Sequence, residues 1–202
     1  MQSVNFHTKV KAKQGRNPNN DKEKPRKLRN VKMFGWDKGL DYEKTYKLIL
    51  NHYRQATRDT SKAYDIILLT QLRNGSRLTE AINFLNKIAE MKPFKRQATI
   101  IVEKRKDKYE RQMILPEEIS KAELMRVSYI IREANRWKVS GYCKRTYGFN
   151  THALRYAFIS YLSRKGVSPQ IIAKITGHKS LEYIIYYTQQ IQAEDVLKNL
   201  PR

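Results

Sequence analysis

Residues 151–188 read THALRYAFISYLSRKGVSPQIIAKITGHKSLEYIIYYT, and the reading of this stretch decides the fold. Residues 151–165, 168–177 and 180–199 read as helices, separated by Gly166-Val167-Ser168-Pro169 and by Gly177. His152 and Arg155, three apart, share one helix face and could meet one phosphate. His178 falls in the turn after Gly177, and Tyr183, Tyr186 and Tyr187 follow it. Singly, each of these has an ordinary explanation: a surface arginine beside a packed histidine, a loop histidine, tyrosines in a core.

Toward the N-terminus the period changes. Residues 98–103 (ATIIVE) and 111–115 (RQMIL) read as the two strands of a β-hairpin, with the basic turn 104–109 between them. Pro116 is expected to open a helix with Glu117 and Glu118 in its first turn. Another helix is expected over 121–139, with Gly141 and Gly148 as breaks. Before the hairpin, Asp41 caps a helix that lines up Tyr42, Tyr46, Ile49, Leu50 and Tyr53. Thr60 or Ser61 caps the next, through Ala63, Ile66, Ile67, Leu68 and Leu72, which Asn74-Gly75 stops. A third runs from about Ser76 to just before Pro93. In residues 74–80 (NGSRLTE) the glycine turn puts Arg77 in that helix's first turn, where its planar fork adds to the positive helix end. Glu80, at i+3, either orients Arg77 or forms an ordinary surface pair with it. The expected class is mainly α with a small antiparallel β-hairpin or sheet.

The 202 residues hold 41 Lys plus Arg against 19 Asp plus Glu, a net charge of +22, which points to a polyanionic partner. The first 36 residues alone carry +8, and residues 14–25 (QGRNPNNDKEKP) read as part of a flexible basic arm. The expected division is an arm or linker over 1–40, one domain over 41–190, and a tail helix over 191–202. That tail puts Ala193, Val196, Leu197 and Leu200 on one face, to pack on its own domain or on a neighbour. No run of about 18 apolar residues exists and the N-terminus lacks a secretory h-region, so an intracellular protein without a membrane partner is expected. Cys143 is the one cysteine, and the histidines His7, His52, His152 and His178 lack the spacing of a zinc site. No metal or other cofactor is expected.

Taken in order, Arg77, a lysine-tipped hairpin, His152-x-x-Arg155, Gly177-His178 and Tyr187 resemble the tyrosine recombinase (phage integrase) family. Residues 151–188 are similar to that family's second box and residues 74–81 (NGSRLTEA) to its first. The likeness covers about residues 41–190, the family's catalytic domain, with local departures at Asn74-Gly75-Ser76 and at Thr176. It implies the fold of DNA breaking-rejoining enzymes. It implies a double-stranded DNA partner and a homo-oligomer, a tetramer, on that DNA. Members of the family usually carry a further DNA-clamping domain ahead of the catalytic one, so a fragment and a minimal enzyme are both open.

The resemblance also implies roles. Tyr187 would attack the scissile phosphate and leave a 3′-phosphotyrosine; Arg77 and Arg155 would hold the non-bridging oxygens; His152 and His178 would bond the phosphate or handle the tyrosine proton. A hairpin-tip lysine would protonate the leaving 5′ oxygen. Lys106, four residues past Val102, fits the family's offset best and Lys104 next, while Lys104, Arg105 and Lys108 would touch the backbone of the DNA. Two other readings are a DNA-binding relative without turnover, and a topoisomerase or telomere resolvase using the same residues. An RNA-binding protein would explain the charge but not the ordered motifs.

Overall fold

In a computed structural model that describes residues 39–103, 107–182, 184–185, 193 and 196–198, the Asp41 carboxylate accepts the Lys44 N–H at 2.8 Å and opens α1 (Tyr42–Gln55). The chain divides into two units, Met1–Met33 and Phe34–Arg202, and all described residues lie in the second. The next helix, α2 (Asp59–Asn74), starts earlier than the sequence suggests: Arg58, not Thr60 or Ser61, is its N-cap. Asp59 then stands in the first turn, where its charge favours the helix end. The other end is as expected, with Gly75 left-handed at φ +53.

Helix α2 is buried on all sides over residues 65–72 and forms the axis of the fold. Ala63, Ile66, Ile67, Leu68, Leu69 and Leu72 are fully buried. Around α2 lie α1, α3 (Leu78–Glu90), α4 (Lys121–Glu133), α5 (Arg136–Tyr147) and α6 (Thr151–Arg164). Each large aliphatic side chain so buried contributes roughly 1.5–3 kcal/mol of transfer free energy. One charge intrudes. The fully buried Asp65 carboxylate accepts the hydroxyls of Tyr142 at 2.9 Å and Tyr147 at 2.7 Å and lies 2.7 Å from His52 Nδ1, joining α1, α2 and α5.

The hairpin is present: β1 (Gln97–Ile101) pairs antiparallel with β2 (Glu110–Ile114), Ile100 opposite Arg111 and Ala98 opposite Met113. Both strands alternate exposed and buried, so Ala98, Ile100, Arg111 and Met113 face inward. The described chain is thus mainly helical with one two-stranded antiparallel sheet.

Two local expectations fail. Residues 116–120 form a turn rather than a helix, because Arg96 donates to the Pro116 and Ile119 carbonyls that a helix would have used. Ser120 instead caps α4, in a reciprocal box with Glu123. The single helix expected over 121–139 is two: α4 ends at Glu133, and the Asn135 side chain accepts the Trp137 and Lys138 N–H groups, each at 3.0 Å, to start α5. That helix passes through Gly141 and stops at Gly148. The last fully described helix is α7 (Pro169–Thr176), ended by left-handed Gly177. It packs on α6 in a smaller cluster of Ile159, Ile172, Ala173 and Ile184. Beyond it, Glu182, Ile184, Ile185, Ala193, Val196, Leu197 and Lys198 are helical, and the remaining residues of the expected tail helix lie outside the described ones. Val196 and Leu197 are 60% and 70% exposed, so that part of the tail's apolar face is not buried on its own domain. Among the described residues no helix is long and apolar enough to cross a membrane.

Candidate active site

The α2–α3 turn carries Arg77 and is tied to two other parts of the chain. Asn74 donates from Nδ2 to the Ile114 carbonyl at 2.8 Å and accepts the Ile114 N–H on Oδ1 at 2.9 Å, docking the turn on β2. Gln71 Nε2 donates to the carbonyls of Ser76 at 3.3 Å and Thr151 at 2.8 Å, joining it to the start of α6. Gly75 is needed twice over: a Cβ there would be strained at φ +53 and would stand 2.2 Å from Phe158 Cδ1.

Arg77 occupies the N-cap position of α3. Its backbone N–H donates to Glu80 Oε2 at 3.1 Å, and Nη1 donates to Glu80 Oε1 at 2.8 Å and to the Glu103 carbonyl at 3.0 Å. Glu80 is fully buried and the Arg77 side chain is 26% exposed, so this is a buried ion pair rather than a surface one. The Glu103 N–H also reaches Glu80 Oε1, at 3.3 Å, while the Glu103 carboxylate accepts the Thr79 hydroxyl. The end of β1 is thereby fixed beside Arg77.

Arg155, from the first turns of α6, is 2% exposed. Its Nη1 donates to the Gly75 carbonyl at 2.9 Å, and its Nη2 lies 3.1 Å from both ring nitrogens of His178. The Thr176 hydroxyl donates to the Ile172 carbonyl and lies 2.7 Å from His178 Nδ1. With that hydroxyl proton committed, Nδ1 is the donor to Thr176, which leaves Nε2 as acceptor for Arg155. Burial, and then the charges of Arg155, Arg77, His152 and Arg111, push the His178 pKa down to about 3, so the ring is neutral. Burial and the charge of Arg77 lower Arg155 to about 9, which leaves it a cation at neutral pH. Gly177 lets the His178 turn approach the hairpin, since a Cβ there would meet Val102 Cγ2 at 2.7 Å.

A third guanidinium joins them that the sequence analysis does not name. Arg111, 4% exposed on the inward face of β2, donates from Nη1 to the Ile175 carbonyl at 2.8 Å and from Nη2 to the Asn74 carbonyl at 3.1 Å. Its Nε stands 3.8 Å from Glu80 Oε2. Strand alternation is the signal that could have found it: in ERQMI, Arg111 shares the face of the buried Met113.

Arg77 and Arg111 therefore flank one buried carboxylate, Arg155 is near enough to feel the charges of all three, and the excess positive charge suits an anion. Of the residues named from sequence, Arg77, Glu80, Arg155 and His178 come together here. His152, exposed at the start of α6 and edge-on to Tyr156 at 4.8 Å, is near enough for its charge to act on His178. Lys108 is exposed in the hairpin turn at φ +48. Lys104, Arg105, Lys106 and Tyr187 lie outside the described residues, as do Tyr183 and Tyr186. Among the described residues no group of three or more His, Cys, Asp or Glu could hold a metal ion.

Comparison with known proteins identifies the family and the fold. The pattern of the phage integrase family matches residues 134–194, which span α5, α6 and α7. A protein of Acidianus two-tailed virus named "Putative integrase ORF241" is 38% identical, over 82% of this chain and 68% of its own. An uncharacterized protein of Methanocaldococcus jannaschii is 34% identical, over 82% of this chain and 88% of its own. "Putative integrase V10" of Sputnik virophage is 29% identical over 80% of this chain. In structure, the chain resembles the XerH site-specific recombinase, solved in a pre-cleavage complex with its difH substrate. The TM-score is 0.52 at 16% identity, covering 80% of this chain and 54% of that one, so the chain spans about half the length of that recombinase.

Proposed function

The chain belongs to the phage integrase family of tyrosine recombinases, and from that premise we propose that it is a site-specific recombinase that cuts and rejoins double-stranded DNA through a 3′-phosphotyrosine. The observation that supports the proposal is the convergence of three distant segments: Arg77 paired with buried Glu80, and Arg155 on neutral His178, with the charge of Arg77 acting on both Arg155 and His178.

In the proposed reaction the Tyr187 hydroxyl passes its proton to the imidazole of His178 or His152 as its oxygen forms a bond to the scissile phosphorus. The bond from phosphorus to the 5′ oxygen breaks, and that oxygen takes a proton from the Lys106 ammonium. The new phosphotyrosine ester retains the energy of the broken one, so rejoining is the same displacement reversed. Negative charge grows on the non-bridging oxygens during each step. Arg77 and Arg155, already oriented by Glu80, Glu103 and Gly75, offer fixed donors to that charge without reorganising. His178, held neutral with Nδ1–H turned to Thr176 and Nε2 accepting from Arg155, orients that guanidinium, and as a base it would take the tyrosine proton on Nε2 in exchange for that hydrogen bond. His152 adds a second imidazole on the same side of α6.

Around this centre the DNA backbone would be tracked by Lys104, Arg105 and Lys108 of the hairpin turn and by the exposed cations of α5, Arg136, Lys138, Lys144 and Arg145. Recombination joins two duplexes, and the proposed working assembly is a tetramer on DNA.

The test is a nicked suicide DNA substrate incubated with the protein in EDTA and run on a denaturing gel. A covalent protein–DNA adduct is expected from the wild type and from Tyr186→Phe, and none from Tyr187→Phe. An adduct that persists in Tyr187→Phe overturns the nucleophile. Cleavage that requires magnesium overturns the reaction class.

A further inference from the structure

Arg111 has no role in the chemistry above, yet a buried guanidinium is costly. It is 4% exposed, burial lowers its pKa, and Arg77 beside it adds repulsion. Among the described residues its one carboxylate partner, Glu80, stands off at 3.8 Å, and the Nε proton meets no hydrogen-bond acceptor. A methionine of similar volume would suit the neighbouring Met113 and Ile100 better, so stability alone does not explain an arginine here.

What the guanidinium does have is reach in two directions at once. Nη2 holds the Asn74 carbonyl, three residues before Arg77, and Nη1 holds the Ile175 carbonyl, three residues before His178. These two turns are about a hundred residues apart in sequence and belong to α2 and α7. Arg111 itself stands on β2, the strand that returns from the lysine-bearing hairpin turn. A planar fork spans two carbonyls in fixed geometry, which a lysine ammonium on a flexible stem does not.

We propose that Arg111 is a positioning residue of the recombinase site: it clamps the Arg77 turn and the His178 turn to β2 at a fixed separation. The two phosphate-holding turns and the strand of the hairpin then move as one body. The proposal rests on the strand-transfer reading for its consequence but not for the clamp itself, and the two are tested apart.

Full-length wild type, Arg111→Met and Arg111→Lys are compared by amide hydrogen exchange and by adduct formation on the nicked substrate. In Arg111→Met the Ser76 and His178 amides, which donate within their turns to Gln71 and Ala173, are expected to exchange at least tenfold faster. Amides in the middle of α2, such as Leu68, are expected to keep their rates. Unchanged exchange at Ser76 and His178 overturns the clamp. A faster Leu68 as well means general loosening and overturns it too. At saturating DNA the rate of adduct formation is expected to fall at least tenfold in Arg111→Met with DNA affinity within twofold of wild type, and Arg111→Lys to recover part of the rate. If affinity falls and the saturated rate does not, Arg111 serves binding and the positioning role is wrong. If the wild type forms no adduct, the strand-transfer reading fails while the exchange measurement still decides the clamp.

Discussion

Gly75 shows how much a single position can carry. It ends α2 in a left-handed conformation, leaves room for Phe158, and presents its carbonyl to Arg155. Gly75→Ala meets both a strained φ and an overpacked contact, so a loss of about 2–4 kcal/mol in unfolding free energy is expected. In a Phe158→Leu background the same substitution should cost less, because only the backbone strain remains; urea melts of the four proteins test this. His178 makes a second prediction, of opposite kind. Its folded pKa, about 3, lies below the ordinary 6.5 of an unfolded chain. The unfolded state therefore binds the proton more tightly, and stability is full above pH 6.5 and is lost as pH falls toward 3. His178→Gln should flatten the pH dependence of stability in that window by up to one proton. A phosphate anion beside the ring favours imidazolium, so DNA binding should raise the His178 pKa, which ring NMR titration measures.

Among the elements, α5 is held in place partly by polar contacts. Its inward side buries Val139 and Cys143, and its hold on α1 and α2 includes the Asp65 carboxylate, which takes two tyrosine hydroxyls from α5. Burial raises the Asp65 pKa and the hydrogen bonds from Tyr147, His52 and Tyr142 oppose that shift. Tyr147→Phe removes one of those donors and leaves the carboxylate buried. The expected loss is about 1.5–3 kcal/mol, the scale of a hydrogen bond to a charged group. A cost below about 0.5 kcal/mol by thermal or urea unfolding would show that the remaining partners suffice. The same helix shows where reading one element at a time goes wrong. Residues 121–139 carry a continuous helical pattern, but the Asn135 cap outcompetes continuation, and α5 runs through Gly141 because its neighbours bury Val139 and Cys143 on either side. Gly141 looked like a break only while that burial was invisible.

For the molecule as a whole the governing quantity is charge. At +22 over 202 residues, DNA affinity is expected to come mostly from phosphate contacts and counterion release. If about 6 phosphates are neutralised, log K against log salt should have a slope near −5. Removing residues 1–32, which hold ten of the basic residues, should flatten that slope while leaving adduct formation intact. An unchanged slope means the segment takes no part in binding. Filter-binding or anisotropy titrations between low and moderate salt measure it.

The sequence by itself determined what short-range chemistry writes into neighbouring residues. The Asp41 cap, the Asn74-Gly75 stop, the hairpin and the helices read over 151–165 and 168–177, each observed within a residue of those bounds, were all legible there. Arg77, Glu80, His152, Arg155 and His178 were singled out there too, because spacing along a helix or past a glycine turn is local information, and the structure brings Arg77, Glu80, Arg155 and His178 to one place. Only the tertiary structure decided which groups meet. That Arg155 and His178 stand 3.1 Å apart, that Glu80 is buried rather than on a surface, and that Gly177 makes room for Val102 are contacts between distant segments. Arg111 is the clearest case: in sequence it is one more cation among 41, and its meaning comes from carbonyls 37 and 64 residues away. The physical reason is that burial and long-range hydrogen bonding depend on how elements pack, and packing is set by the summed apolar faces of all of them rather than by any one stretch.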